Sequence, residues 1–301
     1  MIYQVRHRTT YAYESEVSFA RCVLRLTPRS SAIQTVLGTS LTVTPEPTLT
    51  FDRLGAFGEL ATTVVIETPH KALIIDAHAR VDVHSPPGRL DFGAAWEAVR
   101  AQAGRSPDLG AEGPVNFIYP SPRAPLAPPM TEYARASFTR GRGVVDAATE
   151  LMGRMWRDFT YDGEATDVST APVEAFEARR GVCQDFAHIM ICGLRGLGLP
   201  ARYVSGFLRT YPPPGRPRLE GADATHAWVC LWCGEDTGWI GFDPTNDVLA
   251  QDDHIVLASG RDYADVAPID GIILAPGKQT LDVEVDVIPE SELAAPRLAF
   301  G

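Results

Sequence analysis

Two residues in this chain are placed so that together they could make and break an acyl bond: a cysteine where a helix starts and a histidine where a strand starts. After Arg180-Gly181-Val182, Cys183 is followed by Ala187, Met190, Leu194 and Leu197 at three- and four-residue spacing, which predicts a buried helix beginning at or near the cysteine. Free amide donors and the positive end of the helix dipole favour a thiolate at that position. Cys192 lies nine residues further on, about half a turn round the same helix, so only one of the two thiols can face a site.

A thiolate nucleophile needs an imidazole to share its proton, and the imidazole needs an acceptor on its other nitrogen. Three histidines follow Cys183. His188 is on the cysteine's own helix about 140° away and points elsewhere. His254 follows Asp252-Asp253 and reads as exposed, whereas His226 opens the strand Thr225–Trp232 on the parity of Trp228 and Trp232. Gly234, Glu235, Asp236 and Gly238 mark a hairpin between that strand and 238–243. A turn between Gly234 and Glu235 sets His226 opposite Asp243, within reach of the imidazole N–H. Taken alone, Asp243 before Pro244 reads as a turn residue.

Other motifs carry less. Cys230-Leu231-Trp232-Cys233 has the gap of a metal or redox pair but no second pair or histidine pair downstream, so no metal is expected. His7, His70, His78 and His84 are scattered without ligand spacing. No glycine-rich turn links a strand to a helix around Gly196, Gly198 and Gly206, and no Gly-x-Ser-x-Gly elbow is present, which disfavours nucleotide binding and serine hydrolysis.

The elements that must position these groups divide the chain. Through residues 1–85, alternation such as Tyr3, Val5, Tyr11, Tyr13 and Ile75, Ala77, Ala79, Val81, Val83 predicts short half-buried strands in a small β-sandwich. Prolines from Pro86-Pro87-Gly88 to Pro128-Pro129 mark a connector over 86–129. An amphipathic helix (Val144, Ala148, Leu151, Met155, Phe159), a shorter helix from Pro172 to Arg179, the cysteine helix and several strands make a second unit over 130–290, ending in the half-exposed strand Leu281–Val287 before a tail over 291–301.

At 301 residues, 45% hydrophobic and 22% charged, the chain has the composition of a globular protein of two domains. Net charge is −11, and residues 1–90 carry nine Lys/Arg against eight Asp/Glu, so the acid belongs to the second part. With no basic run, binding to a phosphate backbone is not expected. No apolar stretch is long enough to cross a membrane, the start lacks an apolar leader, and five scattered cysteines suit a reducing compartment, so the expected location is cytoplasmic.

Arg180-Gly181-Val182-Cys183-Gln184-Asp185-Phe186-Ala187-His188, then Leu197–Gly206, then Ala224-Thr225-His226-Ala227-Trp228 and Gly241-Phe242-Asp243-Pro244-Thr245-Asn246 resemble, in order, the bacterial transglutaminase-like superfamily. Thr9–Tyr13 and Leu24–Pro28 resemble the β-rich domain that precedes the core in such proteins. One departure is Ala56 after Gly55, where related sequences usually carry Asn. The resemblance implies an α+β protein: an N-terminal β-sandwich-like domain, then a papain-like core whose cysteine-bearing helix packs on an antiparallel sheet. It also implies a Cys-His-Asp triad of Cys183, His226 and Asp243, acting without cofactor on the carbonyl of a peptide or carboxamide substrate.

On that reading Cys183 forms a thioester, and its backbone N–H is one oxyanion donor. Gln184, adjacent to the nucleophile, and Trp228 are the further candidates for oxyanion or substrate contact. Water as acceptor gives peptidase or amidase action, the favoured outcome. An amine acceptor gives glutamine cross-linking, and a disabled fold gives a binding module, against which the three intact groups count.

Overall fold

The computed structural model describes residues 1–84, 93–211, 221, 223–274 and 276–293. Pro86-Pro87-Gly88, expected to open the connector, and residues 294–301 of the expected tail lie outside them. In chain order the first strands are β1 (Ile2–Val17), β2 (Phe19–Leu24), β3 (Gln34–Thr44), β4 (Leu49–Leu54), β5 (Leu60–Ile66) and β6 (His70–Val83). Helices α1 (Trp96–Ala103), α2 (Pro128–Arg135) and α3 (Val144–Asp158) follow, then β7 (Thr160–Tyr161), α4 (Pro172–Ala178), β8 (Arg180–Gly181) and α5 (Cys183–Gly196). The remainder is β9 (Ala201–Leu208), β10 (Ala224–Trp232), β11 (Trp239–Asp243), β12 (Val248–Leu249), β13 (His254–Gly260), α6 (Tyr263–Val266), β14 (Ile269–Leu274) and β15 (Gln279–Pro289).

These strands form one sheet in the order β15-β1-β6-β3, a second in the order β14-β2-β5-β4, and a third in the order β12-β11-β10-β9-β13, all with antiparallel neighbours. The fold is thus the expected α+β arrangement, a strand-rich N-terminal part and a cysteine-bearing helix packed on an antiparallel sheet. Among the described residues, no helix is long and apolar enough to cross a membrane.

The alternation along β1 explains how the parts join. A strand of 16 residues runs about 50 Å, so one face can serve two cores. Toward its end, Tyr13 and Val17 pack with Leu73, Ile75, Val64 and Leu24 between the first two sheets. Toward its start, Tyr3 and Val5 share a core with Phe207, Ile255 and Leu257 of the third sheet and with Val285 and Val287 of β15. The other face of the third sheet is covered by α5, whose Phe186, Met190 and Leu194 meet residues of α2, α3, β9 and β10.

Chain order does not follow these sheets. The strand over 281–287, read from sequence as the close of the second unit, is hydrogen-bonded to β1 from Tyr3↔Pro289 to Tyr13↔Gln279, and β14 pairs with β2. The Gln34 side chain extends the linkage: its amide donates to the Val256 carbonyl at 2.8 Å and its oxygen accepts the Val256 N–H at 2.9 Å. A side-chain amide here completes the backbone bonding of β13, and a buried peptide group left without a partner would be costly.

Because the C-terminal strands complete the N-terminal sheets, cleaving the chain near Pro129 should give two fragments that are insoluble apart; two soluble, folded halves would contradict the shared core. Ile255→Ala, which empties that core, should cost about 2–5 kcal/mol and lower a single transition in a denaturant titration rather than split it into two.

Candidate active site

The local chain around Cys183 is fixed before the helix begins. Arg179 ends α4 in the left-handed region at φ 54°, and β8 then lies parallel to β7, setting Thr160 beside Arg180 and Tyr161 beside Gly181. Val182 is extended, and Asp185 in the first turn of α5 accepts its N–H at 2.8 Å and the Thr166 hydroxyl at 2.6 Å. A Cβ on Gly181 would come within 2.5 Å of that carboxylate, so only glycine fits there. Cys183 is therefore the first helical residue, where the amide groups have no intrahelical partner.

His226 stands on β10 beside Gly206 of β9. Trp228 lies near-parallel to its ring, centroids 6.1 Å apart, and a Cβ on Gly206 would strike the indole at 2.5 Å. Trp228 was a candidate for substrate contact. At 1% exposure it backs the imidazole and offers no face to a groove.

The β10–β11 hairpin differs in register from the sequence expectation. Trp232 faces Trp239 and Val229 faces Phe242, because the loop is not a tight turn at Gly234-Glu235: Cys233 N–H bonds Gly238 O and Gly238 N–H bonds Gly234 O. The register is shifted by two residues. An even shift keeps every side chain on its face, so His226 and Asp243 become diagonal neighbours on the same side and still meet, Nε2 to Oδ2, at 2.8 Å.

Asp243 is fully buried at 0% exposure, and five donors address it. Its Oδ1 accepts the backbone N–H groups of Thr245 (3.0 Å) and Asn246 (3.3 Å). Its Oδ2 accepts from His226 Nε2, from Asn246 Nδ2 at 2.8 Å and from His254 Nε2 at 3.0 Å. Burial alone would raise the carboxyl, but the two histidines and Asn246 hold it well below the usual carboxylate range. For His226, burial would lower the pKa, and hydrogen bonds to Asp243 and Cys183 outweigh it, raising it to about 10. An ionised carboxylate only accepts, so Nε2 of His226 carries a proton and Nδ1 remains to receive the thiol proton.

Cys183 is partly exposed while its partners are buried, so the site opens to solvent at the sulfur. Tyr161, 59% exposed, lies within electrostatic range of the thiol, and burial followed by that charge raises its hydroxyl pKa. Gln184 is buried beside the nucleophile. Cys192 is buried, its thiol pushed up to about 12 by desolvation, and His188 accepts the Tyr263 N–H while burial lowers it to about 4. Of the second pair, Cys230 is buried beside Arg202 and Cys233 donates to Leu231 O.

Sequence reasoning missed His254. Read as exposed beside two aspartates, it is 5% exposed, because β13 pairs with β9 and turns the imidazole inward. Its ring stands edge-on to Trp228 at 5.1 Å. No local pattern carries this; it follows from a strand pairing made far along the chain. Tyr161 was equally hidden, since its place depends on the short parallel pair of β7 and β8. Asn246 sits three residues after Asp243 in a turn visible in the sequence. One ligand atom each from His226, Asp243 and His254 lies within 4.8 Å of the others, but the nitrogens bond the carboxylate directly and leave no place for an ion between them. Both nitrogens are at hydrogen-bond distance from a single oxygen, which is the arrangement of shared protons.

With this geometry, comparison with known proteins is informative. Residues 3–82 match the bacterial transglutaminase-like N-terminal region and residues 131–244 match the transglutaminase-like superfamily core. An uncharacterized protein of Mycobacterium tuberculosis is 40% identical over 295 residues, covering 95% of this chain and 92% of that protein. A protein-glutamine gamma-glutamyltransferase of Pseudomonas aeruginosa is 28% identical over 159 residues, 51% of this chain and 24% of its own length. A solved structure from Cytophaga hutchinsonii, proposed as a cysteine protease, superposes with a TM-score of 0.72 at 21% identity over 96% of this chain and 91% of its own. The chain belongs to the transglutaminase-like superfamily, and at the level of that family it is a cysteine-dependent enzyme.

Proposed function

We propose that the protein is an acyl-transfer enzyme that opens peptide or carboxamide bonds through a thioester on Cys183 and passes the acyl group to water. The observation that carries this is the gathering of Cys183, His226 and the buried Asp243: the imidazole is bonded to the carboxylate at 2.8 Å, and the thiol interacts with the imidazole strongly enough to help raise its pKa. With the thiol proton held on Nδ1 of His226 as an imidazolium, the thiolate sulfur attacks the carbonyl carbon. The tetrahedral oxyanion meets the Cys183 N–H at the helix start, and the imidazolium returns its proton to the departing nitrogen as the C–N bond breaks. Water, deprotonated by the same imidazole, then cleaves the thioester. Tyr161, exposed and within electrostatic range of the thiol, offers a ring to a peptide or protein substrate.

Amine transfer shares every step up to the thioester, and the partial likeness to the glutamyltransferase supports it as the second reading. The two separate on a glutamine-containing peptide supplied with a fluorescent primary amine: hydrolysis yields free glutamate side chain or cut peptide, whereas transfer yields a peptide bearing the fluorophore.

Labelling with iodoacetamide at neutral pH, read by peptide mass spectrometry, should modify Cys183 selectively over the four buried cysteines. Slow or unselective labelling would refute an activated thiolate. Cys183→Ala should lower turnover at least about a thousandfold with the fold unchanged. Cys192→Ala should cost about 1 kcal/mol of stability and retain activity.

The raised His226 pKa also sets a pH dependence. A group held at about 10 against an ordinary 6.5 contributes stability in full below pH 6.5 and loses it as pH rises toward 10. The unfolding free energy of the wild type should therefore decline through that window relative to His226→Gln, which has nothing to titrate. Parallel curves would mean that the imidazolium is not held by Asp243.

A further inference from the structure

The Asp243 carboxylate has more donors than orientation of one imidazole requires. Its Oδ1 is held by two backbone amides and its Oδ2 by Asn246, so the carboxylate is already fixed in place. His254 adds a third donor to the same Oδ2 that receives His226. Since an ionised carboxylate only accepts, the His254 Nε2 on this bond carries its proton. Every donor that draws on the oxygen's charge leaves less of it to stabilise an imidazolium on the other side.

His254 is held on β13 by pairing with β9, and residues of the N-terminal part brace that strand on either side of it. Tyr3 of β1 donates its hydroxyl to Asp253, the residue before His254, at 2.9 Å, and Gln34 clamps Val256, two residues after it. The groups facing this cluster are Cys183 from α5, His226 from β10 and Asp243 from β11, with Asn246 beyond it. Tyr161 and Tyr203 face the thiol, and Trp228 faces both rings.

We propose that His254 is a positioning residue acting through Asp243: by sharing the oxygen that binds His226, it weakens that carboxylate's hold on the imidazolium and keeps His226 a competent proton donor. The N-terminal sheet, by fixing β13, then bears directly on the acid strength of the site. This rests on the Cys183–His226–Asp243 reading above.

The test is the pH dependence of Cys183 alkylation in the intact protein from about pH 5 to about 12, which needs no substrate. Its upper inflection reports loss of the proton from His226, because the thiolate then reacts without its ion-pair partner. In His254→Leu the inflection should rise by about one pH unit. In His254→Gln, whose carboxamide can donate from a similar position, it should return close to the wild-type value. A purely structural His254 would change stability without moving the inflection, so an unchanged or lowered inflection in His254→Leu overturns the proposal.

Should that variant fail to fold, nitrogen-15 NMR of the wild-type imidazoles decides: His254 should keep its Nε2 proton throughout, and a bare Nε2 overturns the proposal. Absence of selective Cys183 labelling in the wild type would instead overturn the acyl-transfer reading itself. Selective labelling with no effect of His254→Leu would defeat this inference alone.

Discussion

A negative charge with no exposure to water is the constraint on which the site depends. Asp243 is enclosed on every side, and a buried carboxylate is tolerable only when donors replace its hydration. Those donors come from the turn after β11, from β10 and from β13, so three chain segments must be in register at once for the charge to be accommodated. Once they are, the same charge makes an imidazolium at His226 favourable, and that cation is what a thiolate at Cys183 requires. The electrostatic order runs from the buried acid outward to the partly exposed sulfur.

The supporting structure is arranged around closeness that only small residues permit. Gly181 lets Asp185 lie against the chain just before the nucleophile, and Gly206 lets Trp228 lie flat behind the imidazole. Both place a polar or aromatic group where a side chain would otherwise stand. Trp228 then packs against both His226 and His254, whose rings lie 6.1 Å apart, and backs the pair without entering the proton path.

The N-terminal strands are more than an adjoining module. The long β1 contributes one end to its own sandwich and the other to the core behind the third sheet, while β14 and β15 return to close both N-terminal sheets. Tyr3 and Gln34 reach the residues flanking His254. Stability of the strand-rich part and geometry of the acid cluster are therefore coupled through β13, the strand that carries the second histidine.

By itself the sequence determined the local features. The 3.6-residue period placed Cys183 at a helix start, the two-residue period placed His226 and Trp228 on one strand face, and both periods are visible because they record which side of an element is buried. The meeting of His226 with Asp243 was legible despite a register misjudged by two residues, since an even shift preserves the face. Tertiary structure alone decided the inward turn of His254, the place of Tyr161 beside Gly181 just before the thiol, and the return of β15 to β1. Each of these depends on a pairing between segments far apart in the chain, and hydrogen bonds between distant strands leave no mark on the spacing of residues within either one.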